Sequence, residues 1–312
     1  MAFDGLISII CVSDYAGGEQ GSWDDMRRTL GSIAGQDYDG PVEVLLVEAT
    51  QFADSIPAEL GADVAGFRVV TADDNSSYGL KNAGVEAARG EVVAILDADC
   101  EPRPDWLKQI AAAFSRYPDA AAISGRTVYP GTTFLERITG LLTRSYIDPG
   151  KTGPARFVSN NNGVWKRDVY LAHPMPLGLG AFAARMQSEQ VIQKGLPIYF
   201  DGSIEVAHEF EGWAMEVDVR RNIGYGTVAT RLRDPSLPHS WTTKFGVLGI
   251  PLIYVGKSLN TLGDCLRNWR RYGVRLFELP IAVAMVPLVQ LHEVPGMWTA
   301  FTGGTIEQTE YR

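Results

Sequence analysis

Residues 6–12 (LISIICV) form an unbroken apolar run in which β-branched side chains dominate. A run this short, without alternation, predicts a strand covered on both faces. From residue 23 the period changes. Trp23, Met26, Leu30 and Ile33 recur at helical spacing and predict a helix over 23–34, with Ser22 placed to cap it. Residues 42–47 (VEVLLV) and 67–71 (FRVVT) read as two further strands, 78–88 as a helix closed by Gly90, and 91–96 (EVVAIL) as a fourth strand. Pro104 then opens a helix over 105–117 from its first turn. Such alternation predicts an α/β fold, a mostly parallel sheet flanked by helices. Ligands in such folds bind beyond the carboxyl ends of the strands.

The second half reads differently. Residues 120–129 predict a strand, 132–147 a helix, 155–162 (ARFVSNNN) a strand entering a polar loop, and 213–228 and 257–272 helices. Asp234-Pro235-Ser236-Leu237-Pro238 is the best linker candidate. The expected organisation is one domain over 1–230, with halves of about 1–100 and 101–230, followed by a helical extension over 231–312. Two apolar segments of that extension, 245–255 and 279–291, carry Pro251 and Pro280 with Pro287. Each falls short of the ~20 apolar residues of a spanning helix. Buried core is the expected place for both, with contact at a membrane surface as the alternative.

Composition narrows the function classes. An apolar fraction of 46% beside 21% charged residues predicts an ordinary packed core. A net charge of −9 argues against a nucleic-acid partner, which needs basic surface to replace counterions. Cys11, Cys100 and Cys265 are too far apart for a zinc site or a disulfide framework, so a reducing cytoplasm is expected. No basic segment precedes the 6–12 run, and no signal peptide is expected.

The strongest chemical signal is Asp97-Ala98-Asp99, which follows the fourth strand directly. Two carboxylates this close cannot continue a buried strand without a large charge cost, so the strand should end there and expose them. Acidic oxygens gathered at one point suit Mg²⁺ or Mn²⁺. The other strand ends carry Ser13 and Asp14, Glu48, and Asp73 with Asp74. Turn preference explains any one of these positions; it does not explain the whole set converging on one edge.

The stretch KNAGVEAARGEVVAILDADCEPRPDWL, residues 81–107, resembles the core signature of inverting family 2 glycosyltransferases with the GT-A fold. The resemblance runs through ISIICVSDYAGG, EVLLVEAT, VSNNNGVWKRDVY and IYFDGSIEVAHE, about residues 6–210. It implies metal-dependent transfer of a sugar from a nucleotide-sugar donor, with UDP-sugars favoured, to a hydroxyl of a glycan or lipid-linked acceptor. It further implies Asp99 as a direct metal ligand and Asp97 near the ribose or the metal. Ser13, Glu48, Asp73 and Lys81 would then hold the nucleotide. A His after the last motif can complete the metal site, which makes His208 a candidate, although a lone His is more often structural. A neutral imidazole would favour Mn²⁺ over Mg²⁺. Two departures stand out. The usual Pro-Thr-Tyr-Asn turn is Val12-Ser13-Asp14-Tyr15, and the usual Val-Asp-Asp-Gly-Ser is Val47-Glu48-Ala49-Thr50. Glu48 alone would accept from the base, which its carboxylate can still do.

The third departure concerns catalysis. An inverting transfer needs a carboxylate beside the acceptor hydroxyl. The family's Glu-Asp pair stands about a dozen residues before a Gly that ends a helix, and counting back from Gly195 reaches Ala183-Ala184. The nearest acid is Glu189. Ser188 would cap a helix over 189–194 and put Glu189 in its first turn. Alternatively, Glu189 pairs with Arg185 one turn earlier. Asn161, Asn162 and Trp165 suit an acceptor sugar, or simply an Asn-rich turn. Arg220, Arg221, Arg267, Arg270 and Arg271 make the last third locally basic, fit to grip a diphosphate or an anionic lipid, or to form a solvated face. Peripheral contact with the inner face of a membrane follows from the first reading. Two other functions compete: a non-catalytic or atypical sugar-nucleotide-binding protein, suggested by the alanines, and a nucleotidyltransferase. The second would need a basic Gly-rich loop after the first strand, and Tyr15-Ala16-Gly17-Gly18-Glu19 contains no Lys or Arg.

Overall fold

The computed structural model describes residues 3–13, 16–18, 22–130, 133–210 and 212–306; Asp14 and Tyr15 lie outside the described residues. The elements run β1 (Ile7–Val12), α1 (Asp24–Ala34), β2 (Val42–Ala49), β3 (Phe67–Ala72), α2 (Ser77–Ala87), β4 (Val92–Asp97), β5 (Cys100–Pro102) and α3 (Trp106–Arg116). They continue as β6 (Ala122–Val128), α4 (Phe134–Arg144), β7 (Gly153–Pro154), β8 (Asn162–Lys166), α5 (Arg167–Ala172), α6 (Ala183–Gln193) and β9 (Ile198–His208). The chain ends in α7 (Trp213–Arg233), a 3₁₀ stretch over Ser240–Gly249, α8 (Ile250–Asn268), α9 (Leu279–Leu291) and α10 (Val294–Phe301).

One sheet gathers the strands in the order β3-β2-β1-β4-β8-β6-β9-β5, with β7 on β9. β3, β2, β1 and β4 are parallel neighbours, whereas β8 lies antiparallel between β4 and β6. Alternate residues of each central strand feed opposite faces, as the strand period of two requires. Ile9, Cys11, Leu46 and Leu96 pack with Trp23, Met26 and Leu30 of the α1 region and Trp106 and Ile110 of α3. Ile10, Val47, Val93 and Ile95 pack on the other side with Leu80 of α2, Tyr170 of α5 and Ala183, Ala184 and Val191 of α6. The continuous apolar pattern of 6–12 is therefore that of a strand between two helical layers.

Several expectations shift. The strand foreseen over 155–162 begins at Asn162 and runs to Lys166, because Gly163, Val164 and Trp165 are the residues that pair with both β4 and β6. No cap at Ser188 divides α6, which is continuous over Ala183–Gln193; the Ser188 hydroxyl donates back to the Ala184 carbonyl. Glu189 therefore lies in the middle of a helix and not in a first turn. At α4 the N-terminus is closed by a capping box in which Thr133 and Glu136 each accept from the other's backbone N–H.

The C-terminal helices pack on the second half of the sheet domain. Ile138, Leu141 and Leu142 of α4 join Cys265, Ala282 and Val286, and Val228 of α7 joins Ile253 and Met297. Gly224 and Gly296 allow α7 and α10 to touch backbone to backbone, since a Cβ on either would strike the opposing main chain. Much of the apolar surface here is not core, contrary to expectation. Phe245, Leu248, Leu252, Val255, Leu276, Phe277, Leu288 and Trp298 are exposed, Leu248 to 78%. Residues 240–268 and 279–301 are each long and apolar enough to cross a membrane by length and composition alone.

Candidate active site

The register of the parallel strands builds the rim. Val12 stands opposite both Val47 and Asp97, and Glu48 opposite Thr71, so β1, β2, β3 and β4 end almost level. Ser13 and Glu48 are buried at that edge. Glu48 accepts from its neighbour's amide at Ala49 (2.6 Å) and from the Gly17 amide (3.3 Å), tying the loop after β1 to the end of β2. Asp73 is exposed and accepts from the Thr50 hydroxyl at 3.2 Å. Asp74 instead holds the amide and hydroxyl of Ser76, the N-cap of α2.

Lys81, fully buried on α2, reaches the end of β4 and places Nζ 2.5 Å from Asp97 Oδ1. Burial pushes the Asp97 carboxyl above its ordinary range; the Lys81 ammonium pulls it back and Asp99 pushes it further up.

Asp99 sits in the two-residue turn between β4 and β5. The short strand β5 pairs antiparallel with the end of β9, with Cys100 opposite His208. This pairing carries His208 across 109 residues of sequence to Asp99 (208 − 99), with Nδ1 2.9 Å from Asp99 Oδ2. The same nitrogen lies 2.7 Å from the Glu209 carbonyl, and Nε2 lies 2.8 Å from Arg144 Nη2. A proton on Nδ1 satisfies all three contacts: Nδ1–H donates to the two oxygens and Nε2 accepts from the guanidinium. Tyr129 meets the imidazole edge-on at 5.5 Å, and the Arg144 guanidinium lies over the Tyr129 ring. Burial works to lower the Arg144 pKa, but Tyr129, Glu216, Tyr146 and Asp99 together hold it above its ordinary value.

Asp99, Cys100 and His208 can turn one ligand atom each to within 4.8 Å of one another. A carboxylate oxygen, an imidazole nitrogen and a nearby thiol sulfur fit a borderline divalent ion such as Mn²⁺ better than Mg²⁺, which demands oxygen. The residues fit a divalent cation, and Asp99 with His208 would hold it. Beside them a cavity of about 420 Å³ opens between Arg28, Glu101, Tyr129, Glu136, His208, Glu209 and Phe210. Arg28 is ion-paired with Glu209 across its mouth.

Three expected acceptor contacts do not survive the fold. Trp165 is fully buried in the core, edge-on to Tyr170, and offers no ring face to a ligand. Asn162 is equally buried: Oδ1 accepts from Trp106 Nε1 (3.0 Å), and Nδ2 donates to the carbonyls of Arg126 (2.9 Å) and Ile204 (3.0 Å). Asn161 accepts from the Thr127 and Ser159 hydroxyls. Buried amides must pair, and these pair with the scaffold. Arg220 is likewise no solvated residue; it is buried between Glu216 (2.8 Å) and Glu293 (3.2 Å). Glu189 forms the ion pair with Arg185 at 2.8 Å and is 15% exposed, on the wall of a second, larger cavity. Cys100, Tyr129 and Arg144 escaped the sequence reading. Cys100 adjoins the acidic pair, but nothing in the linear order joins Tyr129 or Arg144 to it.

A mixed sheet thus carries carboxylates at the ends of its parallel strands, and its strand β9 brings a His to them. Residues 18–171 match the family model described as Glycosyl transferase family 2. The matched stretch, 154 of the 312 residues, resembles a family 2 glycosyltransferase domain, and the chain has the GT-A fold. It is 29% identical over 111 residues to the glucosyl-dolichyl phosphate glucuronosyltransferase of Haloferax volcanii, a match covering 34% of each chain. The chain thus spans about a third of the length of that curated relative. In structure it is similar to the mannosyltransferase PcManGT from Pyrobaculum calidifontis, solved in complex with GDP-Man and Mn²⁺. The TM-score is 0.60 at 15% identity, over 96% of this chain and 87% of the other. It is also similar to S. aureus TarS 1-349 in complex with UDP, with a TM-score of 0.50 at 14% identity over 96% and 90% of the two chains.

Proposed function

We propose that this glycosyltransferase moves a sugar, with inversion, from a nucleotide-sugar donor to a hydroxyl acceptor, and that Asp99 and His208 hold the divalent cation it requires. The supporting observation is the 2.9 Å approach of His208 Nδ1 to Asp99 Oδ2 at the end of the parallel strands. When bound, the cation neutralises charge on the donor's diphosphate as the sugar departs. The rest falls to the chain's own groups. Ser13, Glu48 and Asp73 line the rim where a nucleoside would rest, with Glu48 the acceptor for a base N–H. UDP is the favoured nucleotide on that account. Lys81 pairs with Asp97 beside the cation position.

Glu189 serves as general base in this reading. Arg185 keeps its carboxylate paired and oriented, and it borders a cavity on the acceptor half. Glu209 is the competing candidate, since it lines the smaller cavity beside His208. The acceptor reaches the site at a membrane surface. Support comes from the exposed corner where Arg270 stacks on Trp269, Arg275 lies over Phe277, and Leu266 and Leu276 stand free. Cationic and aromatic residues interleaved with exposed aliphatic ones suit an anionic lipid interface.

Calorimetry of UDP binding with Mn²⁺ tests the metal assignment. Asp99→Asn should abolish the metal-dependent part of the affinity while thermal unfolding stays cooperative. Unchanged affinity would remove Asp99 from the site.

A further inference from the structure

The larger cavity, about 610 Å³, lies between α6, the C-terminal turn of α4, α7 and α8. Six cationic side chains line it: Arg156, Arg185, Arg220, Arg231, Lys257 and Arg267. Only three carboxylates do, Glu189, Asp264 and Glu293. Each of these is already committed. Glu189 pairs with Arg185, Asp264 with Arg267, and Glu293 is shared by Arg220 and Lys257. Among the described residues Arg156 and Arg231 have no carboxylate partner, and Arg231 donates only to the carbonyls of Thr227 (2.6 Å) and Pro238 (3.0 Å). Even with Glu216 behind Arg220, positive charge is in excess.

Uncompensated cations in a partly buried cavity are costly, and an incoming anion offsets that cost. The local field carries the same sign: burial and the adjacent Arg185 lower the Arg231 pKa against the pull of Glu189, and burial together with Arg220 and Arg231 lowers that of Lys257 against the pull of Glu293.

Position links the cavity to the chemistry. Ser145 and Tyr146 line it, while Arg144, one residue earlier, reaches His208. The charges of Arg144 and Arg220 both act on Tyr146, which lines the cavity. On the outer side α8 turns Lys257 and Asp264 inward and Leu252, Val255 and Leu266 to the surface.

We infer that this cavity binds the phosphate or diphosphate group of a lipid-linked acceptor, whose hydrocarbon tail lies along the exposed apolar face of α8. The inference deepens the transferase reading. It gives the acceptor's anion a place separate from the donor's diphosphate, lined by the residues that directly follow Arg144.

The test measures binding in EDTA without nucleotide, so that its outcome is independent of the metal and donor assignments. The full-length chain is titrated with farnesyl diphosphate and with inorganic diphosphate. Farnesyl diphosphate should bind at least about tenfold more tightly, and R156Q/R231Q should lose about tenfold or more of that affinity, the scale of one or two charge-assisted hydrogen bonds. UDP affinity with Mn²⁺ should stay within about twofold in the variant, which also reports that the fold is intact. R156Q alone alters an exposed side chain and should still weaken binding, which keeps the test independent of any structural effect at Arg231. Equal affinity for the two probes, lost together in the variant, would support a phosphate site and assign it to the free ion. Farnesyl diphosphate binding undiminished in both variants would overturn the proposal.

Discussion

Lys81→Met is the sharpest single perturbation of the rim. The Lys81 and Asp97 side chains are 1% and 8% exposed, and their charged atoms are 2.5 Å apart. At that distance and an effective dielectric of about 20 the attraction amounts to roughly 6–7 kcal/mol. Stripping water from both ions offsets most of it, so the pair itself adds little net stability. Removing one partner is another matter, because the remaining ion stays buried without compensation. Each of Lys81→Met and Asp97→Asn should therefore cost about 3–5 kcal/mol. The double variant should cost less than the sum by a coupling energy of about 2–3 kcal/mol, the upper range for residues in direct contact. Urea unfolding of the four proteins, followed by far-ultraviolet circular dichroism at pH 7, measures the cycle. Single effects that add to within about 0.5 kcal/mol would refute the argument, since that is the behaviour of independent sites.

Other predictions follow from the site and its supports. Glu189→Gln should lower transfer by about 10²–10⁴-fold while UDP binding is retained; steady-state kinetics that place this loss at Glu209→Gln instead would move the base to the smaller cavity. Trp165→Ala should cost about 3–5 kcal/mol of stability through the void it opens, whereas Trp165→Phe should leave the acceptor KM unchanged, because the ring meets no ligand. Gly224→Val would drive a side chain into the Glu293 carbonyl and separate α7 from α10, which limited proteolysis should register as new cleavage in the last helices. Co-sedimentation with liposomes should increase with the anionic lipid fraction and fall in Phe277→Asp; indifference to lipid charge would exclude the membrane contact.

Local pattern was enough to determine β1 to β4, α1 to α3 and the end of β4 near Asp97, but not the three-residue strand β5. Apolar runs and helical spacing are properties of neighbouring residues; the exposure expected of Asp97 and Asp99 was not met, because both are buried, Asp97 against Lys81 and Asp99 against His208. The end of α7 was legible from local pattern as well: it stops at Arg233, where proline and polar residues begin. The partners of Asp99 were not legible. His208 joins it only because β5 pairs with β9, and Arg144 arrives from a helix that packs beside Tyr129. Nor did residue type reveal burial. Asn162 and Trp165 look like sugar contacts in a linear reading, yet β8 lies between two strands and turns both inward. The apolar segments of the last third showed the converse. Composition marked them as core, but α8, α9 and α10 can bury only one face each against the sheet domain, and the remaining faces stay exposed. Periodicity is written in the order of the residues, whereas which side chains share a cavity depends on strand order and helix packing, which only the tertiary structure decides.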